Sequence, residues 1–329
     1  MDPPWATAWG ARALIEVAGK IIPDAGIFSR SFGRRLAALN VAVLTALCCS
    51  NIASTDPQTA PAPAVTESPP PLPQVTAEAA RAAIERRVEA FVHAVTRKPG
   101  LSDDDSLVRW NTPICLLVAG LTAEKVKIMS DRLSQISSSA GAPLARAPCQ
   151  PNFIIVASSE PDRVLDAWHA RDNRLFGDAT PAQLRQFRES SEARPVRVWY
   201  NIDTGRKAGM RNGHFIPSNT RAESSAFVGN AAFDFLSVFA IIDTHRTEHT
   251  TLDQLADYVA MAGLTRVDLD AGLGSAPSIL RLFAASRENQ PSGLSSWDAA
   301  FLKALYQSNP TSRTQRFDIA ERVTQNISR

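Results

Sequence analysis

The chain is short of the side chains that carry most enzyme chemistry. Its 329 residues include four cysteines, five histidines and three tyrosines. It has no Gly-x-Ser-x-Gly turn and no phosphate-cradling Gly-rich loop, so the hydrolase nucleophile elbow and the P-loop are excluded. Lys and Arg do not cluster with interleaved aromatics beyond the first 50 residues, and the net charge is only +2. Nucleic acid is therefore excluded as the expected partner. No later stretch matches the about 20 mostly apolar residues needed to span a bilayer. There is no internal repeat.

The start of the chain carries the clearest signal. Arg30, Arg34 and Arg35 precede an apolar run from Leu36 to Cys49, interrupted by Asn40 and Thr45. The run is too short for a spanning helix and has the order of an export signal, with a twin arginine that hints at the folded-protein route. Small residues follow (Ser50, Ala53, Ser54), as cleavage requires. Cys48 and Cys49 invite lipidation, but Leu44-Thr45-Ala46-Leu47 lacks the small residue such a site wants, so plain cleavage is expected. An uncleaved signal would instead tether the protein to the membrane or envelope. Residues 1–28 are read as an over-extended start; with an uncleaved signal they would be a cytoplasmic tail. The expected location is periplasmic or secreted.

Pro57, Pro61, Pro63, Pro69, Pro70, Pro71 and Pro73 mark a spacer that cannot bury enough apolar surface to order itself. The chain thus divides into an N-terminal extension and signal (1–54), a Pro/Ala-rich linker (55–75) and a globular part (76–329). The last has about 255 residues, enough for a sizeable core.

Within it, Thr76 is expected to cap a helix carrying Ile84, Val88, Phe91, Val92 and Val95 on one face. Strands are expected at Ile114 to Ala119, Phe153 to Ala157, Val196 to Ile202, Ala226 to Val228 and Phe235 to Ile242. Helices are expected after Thr122, after Ser159-Pro161 and after Thr180-Pro181. No clear strand follows Asp243. Thr250 and Thr251 cap a helix ending at Gly263; Ser275 and Pro277 open a short one; Ser295 to Asp298 is a capping box; Ile319, Val323 and Ile327 mark the last. The expected class is mixed α+β: a mixed sheet with flanking helices, then an all-helical part from about 250.

Cys115 and Cys149 are the cysteines left after the signal. An even pair in an oxidising compartment is expected to form one disulfide, stabilising the fold by roughly 3 to 4 kcal/mol. Buried free thiols are the alternative.

His245-Arg246-Thr247-Glu248-His249 spells His-x-x-Glu-His, an inverted zinc-protease pattern. On a helix, His245 and His249 would share a face and could hold zinc beside Glu248. Here the pattern lies between a strand and a helix cap, which favours a solvated turn. Asp268-Leu269-Asp270-Ala271-Gly272 starts like a calcium loop but lacks the later oxygen ligands. Gly272-Leu273-Gly274 has no strand leading into it. Asp103, Asp104 and Asp105 read as a solvated acidic turn. Trp110, Trp168, Trp199 and Trp297 read as packing residues.

The stretch Leu255-Ala256-Asp257-Tyr258-Val259-Ala260-Met261-Ala262-Gly263-Leu264, and the stretch from Gly293 through Trp297-Asp298 to Tyr306, resemble an uncharacterised family of exported bacterial proteins. More distantly they are similar to metzincin zinc proteases, over about 60 residues. That resemblance implies a zincin-like fold in which Ala256 and Ala260 stand where the helical zinc histidines would be. Arg266 stands at the third ligand and Asp257 at the general base. Alanine methyls cannot ligate a metal, so the resemblance implies a scaffold without its zinc. The expected protein is an exported non-catalytic binding or envelope-associated module without a cofactor. The alternative is a zinc-dependent hydrolase using His245, Glu248 and His249.

Overall fold

The computed structural model describes residues 74–96, 107–171, 173–177, 179–203, 209–211, 214–216, 233–270, 272–312 and 314–327. The expected signal, most of the expected linker, Asp103 to Asp105 and the strand expected at Ala226 to Val228 lie outside these residues. The described residues form seven α-helices, a five-stranded, mostly parallel sheet and a separate two-stranded hairpin. The class is the mixed α+β read from the sequence.

In chain order the elements are α1 (Gln74–Val95), β1 (Val108–Arg109), β2 (Leu116–Ala119), α2 (Ala123–Ala140) and β3 (Phe153–Ser158). Next come α3 (Pro161–Arg171), a 3₁₀ turn (Asn173–Phe176), α4 (Pro181–Ser191) and β4 (Val196–Asp203). The hairpin β5 (Gly209–Arg211) and β6 (His214–Ile216) precedes β7 (Phe233–Asp243). Then follow α5 (Leu252–Leu264), 3₁₀ turns at Ile279–Arg281 and Arg287–Asn289, α6 (Ser296–Gln307) and α7 (Gln315–Ile327). Thr76 does not cap α1, which starts at Gln74.

β7 is the spine of the sheet. β3 runs parallel to it from Phe153↔Val238 to Ser158↔Asp243, and β1 runs parallel beside its start at Val108↔Phe233. β2 runs parallel to β3 from Leu116↔Phe153. β4 pairs with β7 antiparallel from Val196↔Ile242. A strand covered on both faces is apolar at every position rather than alternating, and all of β3 is buried. Phe153, Ile155 and Ala157 enter a large core with α1, α2, α5, α6 and α7. Ile154 and Val156 enter a smaller core with α3, the first 3₁₀ turn and α4.

Local chemistry sets several boundaries. Thr122 caps α2 by accepting from the Lys125 N–H, and Gly141 ends it at φ 86°, where a side chain would be strained. Thr180 and Thr251 form capping boxes with Gln183 and Gln254. In α6, Asp298 closes the box with Ser295 and also accepts from Ser278 Oγ (2.7 Å) and the Ile279 N–H (2.8 Å). Burial raises the Asp298 carboxyl above its ordinary range, a shift these hydrogen bonds oppose. The short helix expected from Ser275 is a 3₁₀ turn starting at Ile279 and capped by Ser278.

The Cys115–Cys149 disulfide forms, with Cα atoms 5.9 Å apart and a sequence separation of 34. It ties the residue before β2 to the approach to β3. The Cys115 N–H donates to Asn152 Oδ1 at 2.7 Å, a second link between the same segments.

Candidate functional site

α5 lies at the centre of the molecule. Every residue from Leu255 to Leu264 is buried. A helix apolar on all sides is one enclosed on all sides, and this one is covered by α2, the sheet and the segments after it. Gly263 does not end the helix, which continues to Leu264 with Thr265 extended at its C-cap. The glycine serves close packing instead: a Cβ there would lie 2.0 Å from Phe153 Cζ.

Buried helix ends need partners for their last carbonyls. Here aromatic side chains supply them. Tyr200 Oη donates to the Ala262 carbonyl (2.7 Å), Trp110 Nε1 to Gly263 (2.8 Å) and Tyr306 Oη to Leu264 (2.7 Å). Burial pushes both tyrosine hydroxyls well above their usual range, so they remain donors at any physiological pH.

Ala256 and Ala260 are fully buried, a helical turn apart, and Arg266 is half-buried beyond the helix. Methyl, methyl and guanidinium do not fit zinc. Asp257, 1% exposed, is engaged on both oxygens. Arg132 on α2 donates through Nε (2.6 Å) and an Nη (3.0 Å), and the Leu294 N–H donates at 2.6 Å. Gly293 leaves room for this, since a Cβ there would stand 2.8 Å from Asp257 Oδ2. Asp257 thus joins α2, α5 and the segment leading into α6.

Residues 244–249 form a turn between β7 and α5. The buried Asp243 organises it, accepting from the His245 and Arg246 N–H groups (3.0 and 3.2 Å) and, through its carbonyl, from Thr247 Oγ1 (2.8 Å). His245 Nδ1 lies 3.4 Å from Glu248 Oε1, with both side chains largely exposed. His249 is exposed as well. Among the described residues, no three His, Cys, Asp or Glu side chains gather to hold a metal ion. Asp268 Oδ1 accepts the Asp270 N–H at 3.1 Å, and Arg194 pairs with Asp270.

On the other sheet face, α3, the first 3₁₀ turn and α4 enclose a cleft of about 240 Å³. Its inner walls are Leu165, Phe176, Leu184 and Phe187. Trp199 of β4 supports them, its ring edge-on to Phe176 (5.6 Å) and Phe187 (5.1 Å), with its Nε1 donating to Asn201 Oδ1. Arg185, His169 and the Asp166–Arg188 ion pair stand at the rim. No sequence motif marks this cleft. The only trace in the sequence is the recurrence of apolar residues on neighbouring helices, which signals packing rather than a site. Comparison of the chain with family models, with curated proteins and with solved structures finds no match.

Proposed function

We propose that this is an exported, non-catalytic binding or envelope-associated module on a degenerate zincin-like scaffold. One observation carries the reading. The helix that would bear the metal site has buried alanines at its ligand positions, and its acidic residue is held by Arg132 and the Leu294 N–H. An acid so engaged holds elements together and has no metal-bound water to deprotonate. The Cys115–Cys149 bridge supports an oxidising compartment, and the spacer would give the domain reach from the envelope.

The test uses the full chain recovered from the producing cell. N-terminal sequencing should find a mature start near residue 50, whereas an intact signal would make it a tethered factor. Metal analysis should find no stoichiometric zinc, and peptide and ester libraries should stay intact. Stoichiometric zinc that is lost in His245→Ala, together with hydrolysis, would replace this reading with a metal-dependent hydrolase centred on the turn.

A further inference from the structure

We propose that the cleft between α3 and α4 binds a small aromatic carboxylate, its ring between Phe176, Phe187 and Leu184 and its carboxylate at Arg185 and Arg188. This deepens the binding reading but is decided separately. Substrate hydrolysis elsewhere on the molecule would overturn that reading and leave this one standing.

Size sets the first limit. An apolar cavity of about 150 Å³ takes up benzene. A cleft of about 240 Å³ therefore has room for a six-membered ring with a short chain, but not for a fused cofactor. Wall chemistry sets the second. Phe176 and Phe187 offer aromatic faces and edges, and rings in such settings gain about 0.5 to 1.5 kcal/mol beyond area burial. The walls are also pre-formed. Trp199 contacts both phenyl rings from behind and is itself hydrogen-bonded to Asn201, so opening the cleft requires no rearrangement.

The rim sets the sign of charge. Among its described residues the rim carries Arg185 and Arg188 against one carboxylate, Asp166, which engages Arg188 through a single guanidinium nitrogen, while Asp162 outside the rim adds a longer-range attraction on Arg188. A guanidinium has five N–H donors in a fork, so Arg188 keeps others for a ligand and Arg185 adds its own. A carboxylate at the open end of the cleft would meet these donors, while an ammonium would meet like charge.

The test titrates the full chain with phenylpropionate, phenylpropylamine and phenylpropanol. The readout is the indole N–H resonance of Trp199, assigned through Trp199→Phe. A ligand of this size is expected to bind with a Kd on the order of 1 mM, by the usual affinity per heavy atom. The amine should bind at least about tenfold more weakly. Arg185→Glu should weaken phenylpropionate about tenfold and reverse the preference between acid and amine. Leu184→Trp, which fills the cleft from a half-buried position, should abolish binding while thermal unfolding stays cooperative. Equal binding of all three probes would reduce the cleft to a non-selective crevice and overturn the proposal. So would the absence of any shift up to the solubility limit, or binding that survives Leu184→Trp.

Discussion

Gly263 sits inside a helix, where alanine ordinarily stabilises by about 1 kcal/mol. The structure predicts the opposite. A methyl group at Gly263 would stand 2.0 Å from Phe153 Cζ and 2.7 Å from each Cε. Carbon atoms rest at about 3.5 to 4.0 Å, so the ring would have to retreat by roughly 1.5 Å. It has nowhere to go. Phe153 is fully buried, Trp110 stacks against it at 6.1 Å, and its backbone is paired to both Leu116 and Val238. Overpacking of this kind costs about 3 kcal/mol. Gly263→Ala should therefore lose about 2 kcal/mol net, lowering Tm by roughly 4 to 8 °C for a chain of this size. Equilibrium urea unfolding would measure it. Phe153→Leu alone opens a cavity and should cost about 1.5 kcal/mol. In the double variant the new methyl enters the vacated space, so the combined loss should fall short of the sum by more than about 1 kcal/mol. A stabilised Gly263→Ala, or an additive cycle, would refute the close-packing explanation of this glycine.

Asp257→Asn should cost about 2 kcal/mol through its weakened bonds to Arg132 and Leu294, and Arg132→Met about 3 kcal/mol by leaving a buried carboxylate without its cation; unchanged denaturation midpoints would dismiss the staple role. Cys115→Ser or Cys149→Ser should lose about 3 to 4 kcal/mol and roughly 7 to 14 °C of Tm under oxidising conditions, and the reduced wild type should behave alike. The Asp162 carboxyl is held below its ordinary range first by its hydrogen bond from buried Arg197. Its contribution is therefore complete above the unfolded-chain value of about 3.9 and fades as pH falls through the depressed folded value. Acid titration of stability should be shallower in Asp162→Asn over that window, and identical profiles would show that the pair contributes nothing. Tyr306→Phe, which leaves the Leu264 carbonyl of a buried helix end without its donor, should cost about 1 to 2 kcal/mol; an unchanged urea midpoint would show that another donor replaces it.

Elements whose cause is local were legible in the chain. Thr122, Thr180, Thr251 and Ser295 place helix starts because a hydroxyl must satisfy the first free N–H groups wherever the helix packs. The apolar runs at Phe153 to Ala157 and Phe235 to Ile242 announced β3 and β7 as strands. The disulfide followed from an even cysteine count and an expected compartment. Elements whose cause is distant were not legible. β1 has only Val108 and Arg109 and exists because β7 offers it an edge. Gly263 looked like a helix stop because its true constraint, Phe153, lies far away in the chain. The role of Asp257 as a link between elements left no trace in the sequence, because Arg132 and Leu294 become its partners only after folding. The α3–α4 cleft left no motif, since its walls come from separate elements brought together over Trp199.

The sequence by itself determined the capped starts of four helices, the course of the long apolar strands and the cysteine pair available for a disulfide. These depend on residue type and short-range spacing. Tertiary structure alone decided that α5 is enclosed on all sides, that aromatic hydroxyl and indole groups satisfy its last carbonyls, and that an open cleft remains on the opposite sheet face. Those features depend on contacts between residues far apart in the chain, and no local pattern of side chains encodes which distant partner will arrive.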